Sequence, residues 1–301
     1  MNIKTGNTTY LLLASLLMLA PPLAIANTLE RVQASNTFTL GYLPGFAPFS
    51  TQSGDKASGY AIDLCLKVAE KLKVQLNLPA LQVRYLPVEI AGEMDAVSSG
   101  KIDILCTPTP PTLVRRKSVS YSVPVYTAGL SSVVRQDAPA GLLNVLNGKV
   151  AHTGPTWRAT INGGLANATF ATTAGGVTES WIRQQMQSLG IVSRLVTVDS
   201  TEAGLKLVAD GKADVFFAER MLLSNLLSTH DAADNLTLLD RIFEYAPTAM
   251  ALDRDDENFR LLVDTALSEM YRSGEIELAY NKYLGGISVT ARKLFKVYAI
   301  P

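Results

Sequence analysis

Histidine is almost missing from this sequence: the 301 residues contain two, His152 and His230. A histidine-based catalytic triad or metal cage is therefore poorly supplied. The short catalytic phrases are missing too. There is no G-x-S-x-G elbow, P-loop, G-x-G-x-x-G, H-E-x-x-H or C-x-x-C in the chain. Neither sign of charge is in excess, since 27 basic residues balance 27 acidic ones. That balance argues against nucleic acid or an anionic membrane as the main partner. No apolar run after residue 26 approaches the ~20 residues that a spanning helix needs.

Cysteine is as scarce as histidine, with Cys65 and Cys106 alone. Two is the smallest number that closes a bridge in an oxidising compartment. The alternative is a pair of buried thiols acting as small apolar side chains. The leader decides between compartments. Lys4, the apolar run Tyr10–Leu19, the break at Pro21-Pro22 and the small-x-small site Ala24-Ile25-Ala26 read as a secretory signal peptide over 1–26. No cysteine stands at the cleavage point, so no lipid anchor is indicated. The mature chain is expected to run from Asn27 to Pro301, exported and soluble, with Cys65 and Cys106 bridged.

What is present reads as alternating strands and helices. Thr37–Tyr42 is an expected strand, Ile62–Leu72 a helix with Leu64, Val68 and Leu72 at helical spacing, and Val83–Leu86 a strand. Ile90–Ser99 reads as a helix and 101–106 as a strand. Leu43–Phe49 reads as a loop holding Phe46, and Gln52–Ser58 as turn-like. A second unit follows over roughly 128–245, with strands at Gly129–Arg135, Thr169–Thr173, Leu195–Val198 and Asp214–Phe217. Its helices are Leu142–Asn147, one from Val177 or Thr178, Ser200–Val208, and one opened by Ala218-Glu219-Arg220. Val150–Gly164 has no clear period and reads as a long loop. Strand Ala246–Leu252, helices Glu257–Arg272 and Ile276–Tyr283, and a tail from Ile287 complete the chain. Two βαβαβ units are the signature of doubly wound α/β sheets.

The units share a phrase: Ser99-Gly100-Lys101-Ile102-Asp103-Ile104 in one, Asp210-Gly211-Lys212-Ala213-Asp214-Val215 in the other. Arg115 follows the first copy and Glu219 the second. Before Arg115 come Pro108, Thr109, Pro110, Pro111 and Thr112, a run expected to break regular structure just past a strand's C-terminal end. Ligands bind at such ends in open α/β sheets, and a fixed guanidinium there suits a carboxylate. By itself, Arg115-Arg116-Lys117 is also consistent with a solvated basic patch. A cation from one unit facing an anion from the other would suit a zwitterion.

Phe46-Ala47-Pro48-Phe49, Gly59-Tyr60-x-x-Asp63-Leu64, Ser99-Gly100-Lys101-x-Asp103, Thr112-Leu113-x-Arg115, Val119-x-Tyr121-Ser122, Gly175 to Glu179, Ala213-Asp214-x-x-x-x-Glu219 and Arg272-Ser273-Gly274-Glu275 occur in that order. With this set the chain resembles the extracellular solute-binding proteins of family 3, periplasmic receptors of amino-acid importers of the ABC type. The resemblance implies a type II fold of two α/β lobes joined by two hinge strands. Lobe 1 would span 27–128, lobe 2 129–247, and the return to lobe 1 with its tail 248–301.

By resemblance, Arg115 would take the ligand carboxylate, Glu219 its ammonium, and Phe46 would stack on it. Thr109, Thr112, Gly175 and Thr178 would complete the set. No cofactor or metal is implied, and the partners would be a small carboxylate and an inner-membrane permease, the protein acting as a monomer. Leu43, Pro108, Pro110, Val114 and Gly176-Val177 depart from the family pattern. These departures point to an amino-acid derivative with fewer ammonium donors, or to a ligand whose cation sits elsewhere. The alternative function is an enzyme on the same scaffold, like a cyclohexadienyl or arogenate dehydratase, with Glu219 as general acid.

Overall fold

The computed structural model describes residues 27–149, 164–165, 167–229 and 234–301. The expected leader, nearly all of the expected loop 150–164, and both histidines lie outside the described residues.

The first lobe begins with α1 (Thr28–Ser35), opened by a capping box between Asn27 and Glu30 and closed by Asn36 in a left-handed conformation. Strand β1 (Thr37–Tyr42) follows, then a small hairpin sheet of β2 (Gly45–Phe46), β3 (Ser50–Ser53) and β4 (Lys56–Ser58). The turn expected at 52–58 is therefore a pair of strands, its exposed polar side chains lying on a two-sided hairpin. Next come α2 (Tyr60–Gln75), β5 (Gln82–Pro87), a 3-10 turn at Ile90–Gly92, α3 (Glu93–Ser98) and β6 (Ile104–Thr109).

The expected strand at 101–106 thus sits three residues later and includes Pro108. A proline fits there because pairing of β6 with β1 has already ended at Leu105. On the other side the register shifts between Ala249 and Ala251. No ladder donor is demanded of Pro108 where pairing lapses.

After β7 (Val119–Tyr121), the chain crosses on β8 (Tyr126–Arg135) into the second lobe. There it forms α4 (Ala140–Leu146), β9 (Thr169–Thr173), α5 (Val177–Leu189), β10 (Arg194–Val198), α6 (Thr201–Ala209), β11 (Val215–Glu219), α7 (Arg220–Thr229) and β12 (Leu236–Leu238). It returns on β13 (Glu244–Asp253) to α8 (Glu257–Ser273) and α9 (Glu275–Leu284). The last element is α10 (Val289–Tyr298). Residues expected to be a tail therefore form a helix, whose N-cap Ser288 accepts a hydrogen bond from the Ala291 amide.

The lobe sheets run β5-β1-β6-β13 and β10-β9-β11-β8, and they join because β8 and β13 pair antiparallel from Tyr126–Thr248 to Leu130–Glu244. The sheet is parallel within each lobe apart from these crossing strands. Apolar residues fill both faces. Phe38, Leu40, Leu64 and Phe259 lie in one cluster of the first lobe, and Val97, Leu105 and Ala251 in another. In the second lobe, adjacent Phe216 and Phe217 point to opposite faces, as the two-residue strand period requires. Gly204 lets α6 lie close on the sheet, since a Cβ there would collide with the Phe216 ring.

The shared Gly-Lys-x-Asp phrase has a structural reason in both lobes. Gly100 and Gly211 end their helices at φ of 70° and 69°, a conformation that favours glycine. Asp103 then accepts from the Thr39 amide at 2.8 Å and Asp214 from the Thr169 amide at 2.7 Å. Each aspartate ties its strand to a parallel neighbour.

Cys65 on α2 and Cys106 in β6 form a disulfide, with Cα atoms 6.1 Å apart across a sequence separation of 41. Closing a loop of that size contributes roughly 3–4 kcal/mol in the chain-entropy account. Cys106 lies inside its strand rather than at the end, because the strand runs on to Thr109.

Candidate functional site

Strand β6 ends at Thr109, and the prolines that follow turn the chain into a 3-10 turn at Arg115–Lys117. Thr112 steadies this turn by accepting the Arg115 amide at 3.2 Å. The Arg115 side chain folds back toward the strand. Its Nη1 donates to Thr109 Oγ1, and its Nη2 lies 2.7 Å from Glu93 Oε1. Arg115 keeps 13% of its side-chain exposure and Glu93 only 3%, so this is a buried ion pair with one open side. Arg116 and Lys117 are exposed. The three basic residues are therefore not one solvated patch: Arg115 is set apart from its neighbours by a buried partner.

Glu93 has no counterpart in the sequence reading. A signal was present, since Glu93, Ala96 and Val97 share one buried face of α3. An acid on a buried face needs a cation, and Arg115 supplies it. Burial still wins: it pushes the Glu93 carboxyl up to about 6, against the pull of Arg115 and the Thr109 hydroxyl.

Glu219 is the last residue of β11 rather than the start of a helix, because its backbone still pairs with Leu130 of β8. Its Oε2 accepts the Leu222 amide at 2.9 Å, so the side chain caps the first turn of α7. Its Oε1 faces the Tyr126 hydroxyl at 3.3 Å and the Gly129 amide at 3.5 Å, both on the crossing strand β8. Burial raises this carboxyl to about 7, with the amides opposing the shift. Among the described residues no hydrogen bond or ion pair joins Glu219 to Arg115.

Among the described residues the lobes meet along the paired crossing strands, at Leu222 and Met221 of α7, which pack into the first lobe's core, and at two glycines. A Cβ on Gly175 would lie 3.5 Å from Ala91 Cβ, just before Glu93, and one on Gly45 would lie 3.7 Å from Glu202 Oε1. Phe46, beside Gly45, packs against both apolar clusters of the first lobe. The Gly175 amide donates to Glu179 Oε2 at 3.0 Å, so its own helix already uses that donor. Gly176 caps α5 without a side-chain hydrogen bond, and Thr178 stands half-buried in the first turn. Thr109, Thr112 and Arg115 are thus brought together, and Gly175 lies across the lobe contact from Ala91, two residues before Glu93. Glu219 stands apart, beside the crossing strands. Tyr126 connects that region to the first loop, its ring centroid 4.8 Å from that of Phe49.

The family model for bacterial extracellular solute-binding proteins, family 3, matches residues 38–286. An L-glutamate/L-aspartate-binding protein of Pseudomonas aeruginosa is 26% identical over 272 residues, covering 89% of this chain and 83% of the relative. A glutamate/aspartate import solute-binding protein of Escherichia coli is 21% identical over 261 residues, covering 86% of this chain and 80% of the relative. A mutant of ArgBP from T. maritima superposes with a TM-score of 0.68 at 17% identity, over 86% of this chain and 99% of that one. It shares the fold.

Proposed function

The chain belongs to the bacterial extracellular solute-binding proteins, family 3, and from that premise we propose a periplasmic receptor that captures a small amino acid or amino-acid derivative between its lobes. It delivers that ligand to an ABC-type importer in the inner membrane. The lobes part at 128/129 and 247/248, and residues 1–26 are removed on export. The observation that carries this reading is the Arg115 guanidinium, fixed by Glu93 and Thr109 beside the contact between Gly175 and Ala91. A guanidinium held in place loses little freedom on gripping a carboxylate. Arg115 takes the carboxylate, Glu219 faces the ammonium, and Phe46, Thr109, Thr112, Gly175 and Thr178 complete the wall. The protein works as a monomer, without a cofactor, as a receptor rather than an enzyme.

Native mass spectrometry of the mature protein, followed by a thermal-shift screen of the twenty amino acids, tests this. At least one should raise the melting temperature or appear as a retained mass. A chain that neither retains nor responds to any small carboxylate would remove the reading.

Glu219 favours a second reading. A carboxyl raised to about 7 holds its proton in mildly acidic solution and can protonate a departing hydroxyl, as a dehydratase requires. Incubation with prephenate separates the two readings, since a dehydratase releases an aromatic keto acid and a receptor does not.

A further inference from the structure

We infer that the C-terminal helix α10 is a strap on the hinge: Tyr298 pins Thr127 of the crossing strand β8, and that bond favours the arrangement in which the lobes touch. The inference rests on the two-lobed hinge of the receptor reading and goes beyond it, since α10 lies outside the residues 38–286 that the family model matches.

Helix α10 is fixed to the first lobe along its length. Arg292 pairs with Glu277 of α9 at 3.1 Å, and Phe295 packs against Tyr271 of α8 and Tyr280 of α9. Beyond the helix, the Ile300 amide donates to Ser268 Oγ at 3.1 Å, and the Ile300 carbonyl accepts from Arg272. The helix therefore moves with the first lobe. From that fixed base the Tyr298 hydroxyl reaches Thr127 Oγ1 at 2.7 Å. Tyr271, edge-on to Tyr298, donates to the Pro124 carbonyl at 2.6 Å. Two tyrosines thus hold the chain where it leaves the first lobe.

The structure has the lobes in contact, a Cβ on Gly175 standing 3.5 Å from Ala91 Cβ. Opening turns the second lobe about the crossing strands and carries β8 with it from Thr127 onward. Because α10 stays with the first lobe, the Tyr298–Thr127 bond is made while the lobes touch and is lost as they part. An interaction present in one of two states shifts their ratio by its own worth, which for one neutral hydrogen bond is roughly 5-fold.

Spin labels on two exposed sites test it, Val74→Cys in the first lobe and Val192→Cys in the second. Double electron–electron resonance then reads the distance between the lobes in the ligand-free mature chain. Tyr298→Phe and Thr127→Val should each raise the ratio of longer to shorter distances by roughly 5-fold, and the double variant should add nothing, since all three lose the same bond. Unchanged distributions, or a shift toward shorter distances, would overturn the strap. A lower urea midpoint with unchanged distances overturns it as well, because the bond then only stabilises the first lobe. A shift in one single variant and not the other, or additive shifts in the pair, would overturn Thr127 as the anchor. The readout needs no ligand, so its failure is distinct from a silent amino-acid screen, which would remove the receptor reading instead.

Discussion

Glu93 Oε1 lies 2.7 Å from Arg115 Nη2, yet the acid is harder to ionise than a free glutamate. Loss of water around Glu93 outweighs the attraction of the guanidinium. Burial therefore brings protonation of Glu93 nearer to neutral pH than that of a free glutamate, and a protonated Glu93 no longer competes as a carboxylate for Arg115.

Ligand affinity should separate two adjacent arginines. Arg115→Ala removes a buried cation and should weaken binding by ~30-fold or more, the scale for truncating one partner of a buried charge pair. Arg116 is exposed and stands 5.7 Å from the centroid of the Tyr121 ring, so Arg116→Ala should change binding little. Calorimetry of both variants decides this; equal losses would move the anchor away from Arg115.

Stability of the ligand-free protein should fall as pH rises from about 4.5 to about 7. Glu93 and Glu219 each have a pKa raised above 4.5, to about 6 and about 7. An acid shifted upward in this way binds more protons folded than unfolded, so its contribution is complete below the unfolded value and lost above the folded one. The losses are on the order of 2 kcal/mol for Glu93 and 3 kcal/mol for Glu219. Urea unfolding at pH 4.5, 6 and 8 measures the slope. Glu219→Gln should flatten its upper part; a variant with the parent slope would show that Glu219 does not carry it.

Ligand should compact the molecule. The lobes touch through Gly175–Ala91 and Gly45–Glu202, while the chain crosses between them on β8 and β13. Hinge motion near Thr127–Leu130 and Tyr245–Met250 would open those contacts, with Leu222 and Met221 of α7 sliding at the edge of the first lobe's core. Small-angle scattering should give a smaller radius of gyration at saturating ligand, and superimposable curves would rule the hinge out.

The last helix should be part of the first lobe's stability. Phe295 on α10 is 5% exposed and packs tilted against Tyr271 and edge-on against Tyr280, at centroid distances of 5.2 and 5.6 Å. Phe295→Ala should cost about 3 kcal/mol or more, as buried phenylalanines do. Tyr298→Phe removes a 2.7 Å hydrogen bond to Thr127 and should cost about 1 kcal/mol. Denaturant midpoints of both variants measure this. A Phe295→Ala protein as stable as the parent would mean that α10 is not docked in solution.

The readable parts of the sequence were those with a local cause. The two Gly-Lys-x-Asp phrases announce a helix end and a strand start, because glycine relieves a left-handed backbone and aspartate braces the next strand. The alternation that places Phe216 and Phe217 on opposite faces is local as well. The prolines before Arg115 announced the break after β6, but the residues alone left Arg115 open to a solvated-patch reading. Its partner Glu93 was not legible, because 22 residues separate the two and their meeting depends on how α3 lies against β6. Helix α10 escaped notice because its one buried side chain, Phe295, gains its meaning from tyrosines on α8 and α9. Glu202 reads as an ordinary first-turn acid until the other lobe is brought against it.

The paired crossing strands make the second lobe a cassette. Tyr126 and Thr248 are hydrogen-bonded neighbours in adjacent antiparallel strands, where directly opposed Cα atoms stand about 5 Å apart. The backbone between them can be replaced by a hairpin turn, or exchanged for the corresponding segment of a related chain, without stretching the first lobe, which then loses only the packing of Leu222 and Met221. Recombination at that one seam transfers Gly175, Thr178 and Glu219 as a block, while Phe46, Glu93 and Arg115 stay behind. If these residues form the ligand wall proposed above, ligand preference is inherited in halves.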